Sequence, residues 1–161
     1  MKCPTGRTIL AGVACGMALN FLMLLTFRFL GFGLDGGGIL LNPTLQSPKL
    51  IAVWTRLEPL PLVVSRPAPI LAGLTLFAIG HAFIYRCLAP AWPAGIGRRA
   101  VRLAALVFVL SFLFWEFFTP FNQLGEPLPL IALELGFWAT IAAGEAFTIA
   151  AVCEWPAAAH A

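Results

Sequence analysis

The sequence predicts an all-α integral membrane protein with four transmembrane helices and a long first extracytoplasmic loop. Of its 161 residues, 60% are hydrophobic and only 11% are charged, whereas a soluble domain carries about 25% charged residues. Four apolar runs reach the ~20 residues that span a bilayer. None has the alternating pattern of a β-barrel strand, so helices satisfy the backbone hydrogen bonds in lipid. The chain is therefore interpreted as one membrane domain, residues 1–161.

The first span, residues about 8–30, carries a face suited to helix packing. Gly12 and Gly16 are four residues apart, a small-residue pair that lets another helix approach closely. Asn20 continues the same face and is expected to hydrogen-bond across the interface. Arg28 lies near the far end, where it can snorkel or pair with an acid.

The loop at residues 31–68 has too many prolines for a long helix. Ser47 followed by Pro48 is typical of an N-cap and a first helical position, and predicts a short helix ending near Glu58. Three alternatives stay open for residues 48–64: an interfacial helix, a re-entrant segment, or a plain apolar loop folded over the bundle.

Three further apolar runs complete the bundle. The turn between the last two spans contains Asn122, Gln123 and Glu126 among prolines. It is interpreted as a well-built hairpin turn, with an outward-facing docking surface or the mouth of a site as the alternative. The predicted spans are residues about 69–88, 100–119 and 128–152.

The fourth span has two unlike faces. Glu134 and Glu145 are eleven residues apart and return to nearly the same side of a helix with about 3.6 residues per turn. Gly136, Thr140 and Gly144 form a stripe on the other side. Because neither face suits lipid, this helix is predicted to lie centrally in the bundle or against a partner.

Intramembrane polar residues are the main functional clue, since a charge at the bilayer centre costs at least about 2.5 kcal/mol. Judged by depth, Arg28 is expected to meet Glu116 and Glu134 near the outer end, and His81 to lie near Glu145 deeper in the bundle. One interpretation is that Arg28 pairs with a glutamate and fixes helix register. The alternative is a proton or ion path through His81 and the three glutamates.

The positive charges predict the orientation, because lysine and arginine collect in cytoplasmic loops. Both termini are expected to face the cytoplasm of a bacterial inner membrane. The four cysteines then fall in the cytoplasmic half and are expected to stay reduced. The basic residues that indicate the cytoplasmic side are Lys2, Arg7, Arg86, Arg98, Arg99 and Arg102. The cysteines are Cys3, Cys15, Cys87 and Cys153.

No enzyme, cofactor, metal or nucleic-acid motif is found in the sequence. The first hypothesis is a non-enzymatic accessory, assembly or structural subunit, with lipid and a membrane-protein partner or a second copy as its contacts. The second is a small oligomeric proton- or ion-coupled transporter or channel. The third is a membrane enzyme acting on a lipid or quinone near Glu116 and His81. Five aromatic residues are interpreted as a belt at the membrane interface, with a quinone or lipid pocket as the alternative: Trp115, Phe117, Phe118, Phe121 and Trp138.

Overall fold

The computed structural model describes residues 3–57 and 67–155, and the described part is helical without strands. Four helices are long and apolar enough to cross a membrane, so the chain is an integral membrane protein. They are α1 (Thr5–Gly31), α3 (Pro67–Leu88), α4 (Ile96–Leu124) and α5 (Leu128–Glu154), and the short helix α2 (Pro48–Ala52) lies between α1 and α3.

The helices are not packed in chain order. Helix α1 lies between α3 and α5, and α5 lies between α1 and α4. This position of α5, between two other helices, agrees with the prediction that it lies centrally in the bundle. The described ends of the chain meet at one end of the bundle, here called the terminal end, where Cys3 contacts Cys153. The opposite end, which holds the α4–α5 turn, is called the turn end.

Helix α4 is longer than its sequence predicts. Pro120 was expected in the turn, but the helix continues through it to Leu124. The winding widens to a π-helix over Phe117–Phe121, and this accommodates a proline that lacks an N–H group. Gly125, at φ +67°, then ends the helix and donates its N–H to the Phe121 carbonyl at 3.1 Å.

The predicted glycine pair of α1 makes the contact with α3. A Cβ atom at Gly12 would lie 2.5 Å from Ile79 Cα, and one at Gly16 would lie 3.0 Å from Thr75 Cα. On α5, Gly144 packs against the Leu22 side chain of α1. The other members of that stripe, Gly136 and Thr140, are exposed. These glycines allow the backbones of α1 and α3 to approach each other closely.

Replacing Gly12 with leucine is expected to destabilise the protein by about 1–3 kcal/mol, because the new side chain meets the α3 backbone. Gly80→Leu is the matched control, since nothing lies within 4 Å of a Cβ at Gly80. We expect the control to stay within about 0.5 kcal/mol of the parent protein. Unfolding in mixed detergent–denaturant micelles measures both, and equal losses would contradict the close α1–α3 contact.

Candidate functional site

Three carboxylates converge at the turn end of the bundle. Glu116 comes from α4, Glu126 from the α4–α5 turn and Glu134 from α5. One oxygen from each lies within 4.8 Å of the others. Their exposed fractions are 1%, 2% and 8%, so all three are buried. We call Glu116, Glu126 and Glu134 the carboxylate cluster.

The helical hairpin explains this convergence. Glu116 and Glu134 each lie about two turns from the α4–α5 connection, on facing sides of two packed antiparallel helices. Glu126 follows the left-handed Gly125, and its N–H reaches back to the Pro120 carbonyl at 3.0 Å. This tight reversal brings the Glu126 side chain to the bundle interior, whereas the sequence placed it on an outward-facing tip.

Two neutral groups donate hydrogen bonds to the cluster. Trp138 donates its indole N–H to Glu116 Oε1, and the Gln46 amide donates to Glu126 Oε1 at 2.5 Å. The second oxygen of Glu116 is buried without a partner in the described part of the chain. Both ion pairs found among residues 3–57 and 67–155 lie elsewhere. Within residues 3–57 and 67–155, the cluster therefore gathers three acids with two neutral donors and no basic partner.

Residues 46–50, here called segment 46–50, pack against the α4–α5 turn next to the carboxylate cluster. Ser47 caps α2 by accepting from the Leu50 N–H at 3.1 Å, as the sequence predicts, and its hydroxyl donates to the Leu124 carbonyl at 2.8 Å. Lys49 donates to the Gln123 carbonyl. The predicted short helix is found, since helical winding runs from Pro48 through Leu57, and the choice among the three alternatives for residues 48–64 stays a prediction. The predicted end of the short helix at Glu58 lies outside the described residues.

Burial raises the pKa of Glu126 above its ordinary value of 4.5, against the opposing effect of the Gln46 hydrogen bond. The folded state therefore binds the proton of the Glu126 carboxyl group more tightly than the unfolded chain does. The contribution of this proton to the free energy of unfolding is complete below pH 4.5. It is then lost as the pH rises through the raised pKa. Thermal unfolding measured from pH 4 upward is therefore expected to show falling stability.

Gln46→Leu removes the donor that favours the charged form, so the loss of stability is expected to move to higher pH. Gln123→Leu is the matched control, since it removes an exposed amide from the same end of the bundle. An identical pH profile for Gln46→Leu and the parent protein would show that the Gln46 bond does not act on Glu126.

Arg28 does not join the cluster. Its guanidinium donates instead to the carbonyls of Gly33 and Leu34, the latter at 2.6 Å. These carbonyls lie just beyond the C-terminal end of α1, where backbone acceptors lack helical partners and favour a cation. The predicted pairing of Arg28 with a glutamate is therefore wrong, and Glu126 takes the third position beside Glu116 and Glu134.

A second buried polar group lies deeper between α3 and α5. His81 Nδ1 lies 2.6 Å from Glu145 Oε1, as the depth argument predicts for these two residues. The other Glu145 oxygen is buried without a partner in the described part of the chain. The Phe77 ring covers the imidazole, with centroids 4.1 Å apart. This pair can hold a proton shared between an imidazole and a carboxylate.

An aromatic layer separates the two polar groups. Trp138 stacks on Phe112 with centroids 4.3 Å apart, and Phe27 packs on its other side at 4.6 Å. Along α5, Glu134 and Glu145 are separated by about 16 Å. The predicted path is thus divided into two stations, with Trp138 between them and bonded to Glu116.

Other predicted residues have local contacts. Asn20 donates to the Gly16 carbonyl of its own helix at 2.8 Å, and not across the helix interface. Asn122 and Gln123 are exposed in the last turn of α4. The predicted aromatic pocket does not form among the described residues, because Trp138 points inward while its other proposed members are exposed: Trp115, Phe117, Phe118 and Phe121.

Gln46 and the inward direction of Glu126 were not predicted from the sequence. Their contact joins residues 80 positions apart, and no local pattern marks it. Glu154 was not predicted to form contacts either, and it accepts from Arg99 at 2.9 Å and from the Tyr85 hydroxyl. A glutamate in the last turn of an apolar helix was a usable signal for an ion pair at the terminal end.

No protein-family model, curated protein or solved structure matches this chain. Three buried carboxylates with no basic partner in the described part of the chain require protons or a cation, since like charges at this separation repel strongly. Hard, oxygen-preferring cations fit such a donor set.

Proposed function

We propose that this chain is a non-enzymatic multi-pass membrane protein that binds a hard divalent cation in exchange for protons at the carboxylate cluster. The observation that carries the proposal is the convergence of Glu116, Glu126 and Glu134 within 4.8 Å without a basic partner among the described residues. A structural role alone would favour an arginine or lysine in their midst, because an unpaired buried charge is costly.

The spacing and free oxygens suit such a cation. Oxygen ligands lie about 2.3–2.6 Å from Ca²⁺, so two ligands on opposite sides of one ion are about 5 Å apart. The separation of at most 4.8 Å in the cluster is compatible with one shared ion. Hydrogen bonds occupy Oε1 of Glu116 and of Glu126. The second Glu116 oxygen has no partner in the described chain and is a ready ligand.

The His81–Glu145 pair supports a transport role for this binding. It supplies a second proton-binding station deeper in the bundle, and the aromatic layer around Trp138 separates it from the cluster. We propose that the cation exchanges at the turn end while protons move through His81 and Glu145. The arginines near the terminal end favour a bacterial inner membrane with cytoplasmic termini.

Cation binding is tested on the purified protein in detergent by intrinsic tryptophan fluorescence during titration with Ca²⁺, Mg²⁺ or Mn²⁺. Trp138 is a built-in reporter because its indole donates to Glu116. A saturable change that disappears in Glu116→Gln is expected. Glu154→Gln is the control, since this carboxylate lies on α5 but pairs with Arg99. No change with any of the three ions would contradict the proposal.

Transport is a separate test, in liposomes with a trapped pH indicator. An imposed Ca²⁺ or Mn²⁺ gradient is expected to drive proton movement in the parent protein and not in the double variant His81→Leu/Glu145→Leu, which removes both members of the pair. If the parent protein binds the cation but moves no protons, the proposed binding function is kept and the proposed transport function is contradicted.

An accessory-subunit role is the second candidate, favoured by the exposed small residues on two helices. Gly136 and Thr140 face outward from α5, and Gly73 and Gly80 face outward from α3. Small residues on a membrane surface allow a partner helix to approach. Gentle purification from the source membrane is expected to recover a stoichiometric partner that Gly136→Leu loses. Recovery of the lone chain from both would contradict this role.

A further inference from the structure

Two cysteines from opposite ends of the chain meet at the terminal end. Cys3 precedes α1 and Cys153 lies in the last turn of α5, 150 residues later. Their sulfur atoms are 2.9 Å apart, and both are free thiols. Within the described chain, the other cysteines are placed differently: Cys15 is inside the bundle and Cys87 is exposed.

The thiol pair lines a small surface cleft. The cleft wall also contains Tyr85, Arg99 and Glu154. In this wall the Arg99 guanidinium pairs with the Glu154 carboxylate at 2.9 Å. The thiolate is the reactive form in disulfide exchange. The two thiols are therefore close together at a cleft on the surface of the bundle.

We propose that Cys3 and Cys153 form a reversible intramolecular disulfide by exchange with glutathione disulfide. The thiolate of one cysteine attacks a sulfur of glutathione disulfide and releases one glutathione thiolate. The second cysteine, as its thiolate, then attacks the mixed disulfide and releases the other. The protein loses two electrons and two protons, and one glutathione disulfide becomes two glutathiones.

The bond would join the start of α1 to the end of α5. Closing a loop of this length restricts the unfolded chain, so the oxidised protein is expected to be more stable. In a reducing cytoplasm the dithiol form would dominate, as the sequence analysis expects, and oxidative stress would form the bond. The pair would thus report the redox state at the terminal end, independently of the carboxylate cluster.

The test uses the full chain in detergent, equilibrated with glutathione buffers of increasing oxidised fraction and then denatured and alkylated. Peptide mass spectrometry is expected to find Cys3 linked to Cys153, with Cys15 and Cys87 alkylated. The melting temperature is expected to rise on oxidation in the parent protein and in Cys87→Ser, but not in Cys153→Ser.

Peptide mass spectrometry of the oxidised parent protein identifies the linked cysteines without any variant. This result would therefore hold even if Cys153→Ser folded poorly. Stable glutathione adducts on Cys3 or Cys153 without a cross-link would overturn the proposal. So would cross-links between two chains through Cys87, or four thiols that remain reduced under conditions that oxidise a model dithiol peptide.

Discussion

Glu134→Gln is expected to raise the melting temperature of the cation-free protein at neutral pH and to abolish stabilisation by Ca²⁺ or Mn²⁺. The substitution removes one of three acids that lie within 4.8 Å of each other. Its amide can also donate toward the buried Glu116 oxygen that lacks a partner in the described chain. Satisfying such a group contributes about 1–3 kcal/mol, or roughly 3–10 °C for a protein of this size.

Glu154→Gln is the matched control for this prediction. It changes a carboxylate on the same helix that accepts hydrogen bonds from Arg99 and Tyr85. Losing the charge there is expected to lower the melting temperature and to leave the cation response intact. If Glu134→Gln instead destabilised the protein and kept the cation response, the cluster would not be the binding site.

His81→Leu is expected to destabilise the protein by about 3–5 kcal/mol, because it leaves Glu145 buried without its imidazole partner. The double variant His81→Leu/Glu145→Leu is expected to recover most of that loss, since replacing both members of a buried pair by apolar residues is often close to neutral. Unfolding in mixed micelles measures all members of the cycle.

The double-mutant cycle separates pairing from simple packing. A coupling well above about 0.5 kcal/mol is expected for two groups in direct contact. Additive losses from His81→Leu and Glu145→Leu would show that the 2.6 Å contact contributes little. Phe77→Leu, which removes only the ring covering His81, is expected to cost less than His81→Leu.

Hydrophobic length and local pattern predicted much of the fold. The four long helices are confirmed, and the N-cap at Ser47 is found because Ser-Pro chemistry acts within one turn. Gly12 and Gly16 lie at a helix contact because only a missing side chain permits that approach. These features depend on residues a few positions apart, which a sequence displays directly.

The site was only half predictable, because its decisive contacts are long-range. Equal depth predicted that Glu116 would lie near Glu134 and that His81 would lie near Glu145. Depth alone could not exclude Arg28, whose long side chain reached backbone carbonyls at the end of its own helix.

The direction of Glu126 followed from the extension of α4 through Pro120, which moved the turn by several residues. Proline usually ends a helix, so the local rule pointed the wrong way. The π-helical winding that accommodates Pro120 lies where α4 packs against α5, and no simple sequence signal marks it. Gln46 reached the cluster only because segment 46–50 folds over that displaced turn.

Calorimetric titration of the purified protein with Ca²⁺ and Mn²⁺, in two buffers of different ionisation enthalpy, measures ion binding and proton release together. We predict saturable binding of one ion per chain with release of at least one proton, both lost in Glu134→Gln and kept in Glu154→Gln. Binding without proton release, binding that survives Glu134→Gln, or no binding of either ion would contradict a cation–proton exchange site at Glu116, Glu126 and Glu134.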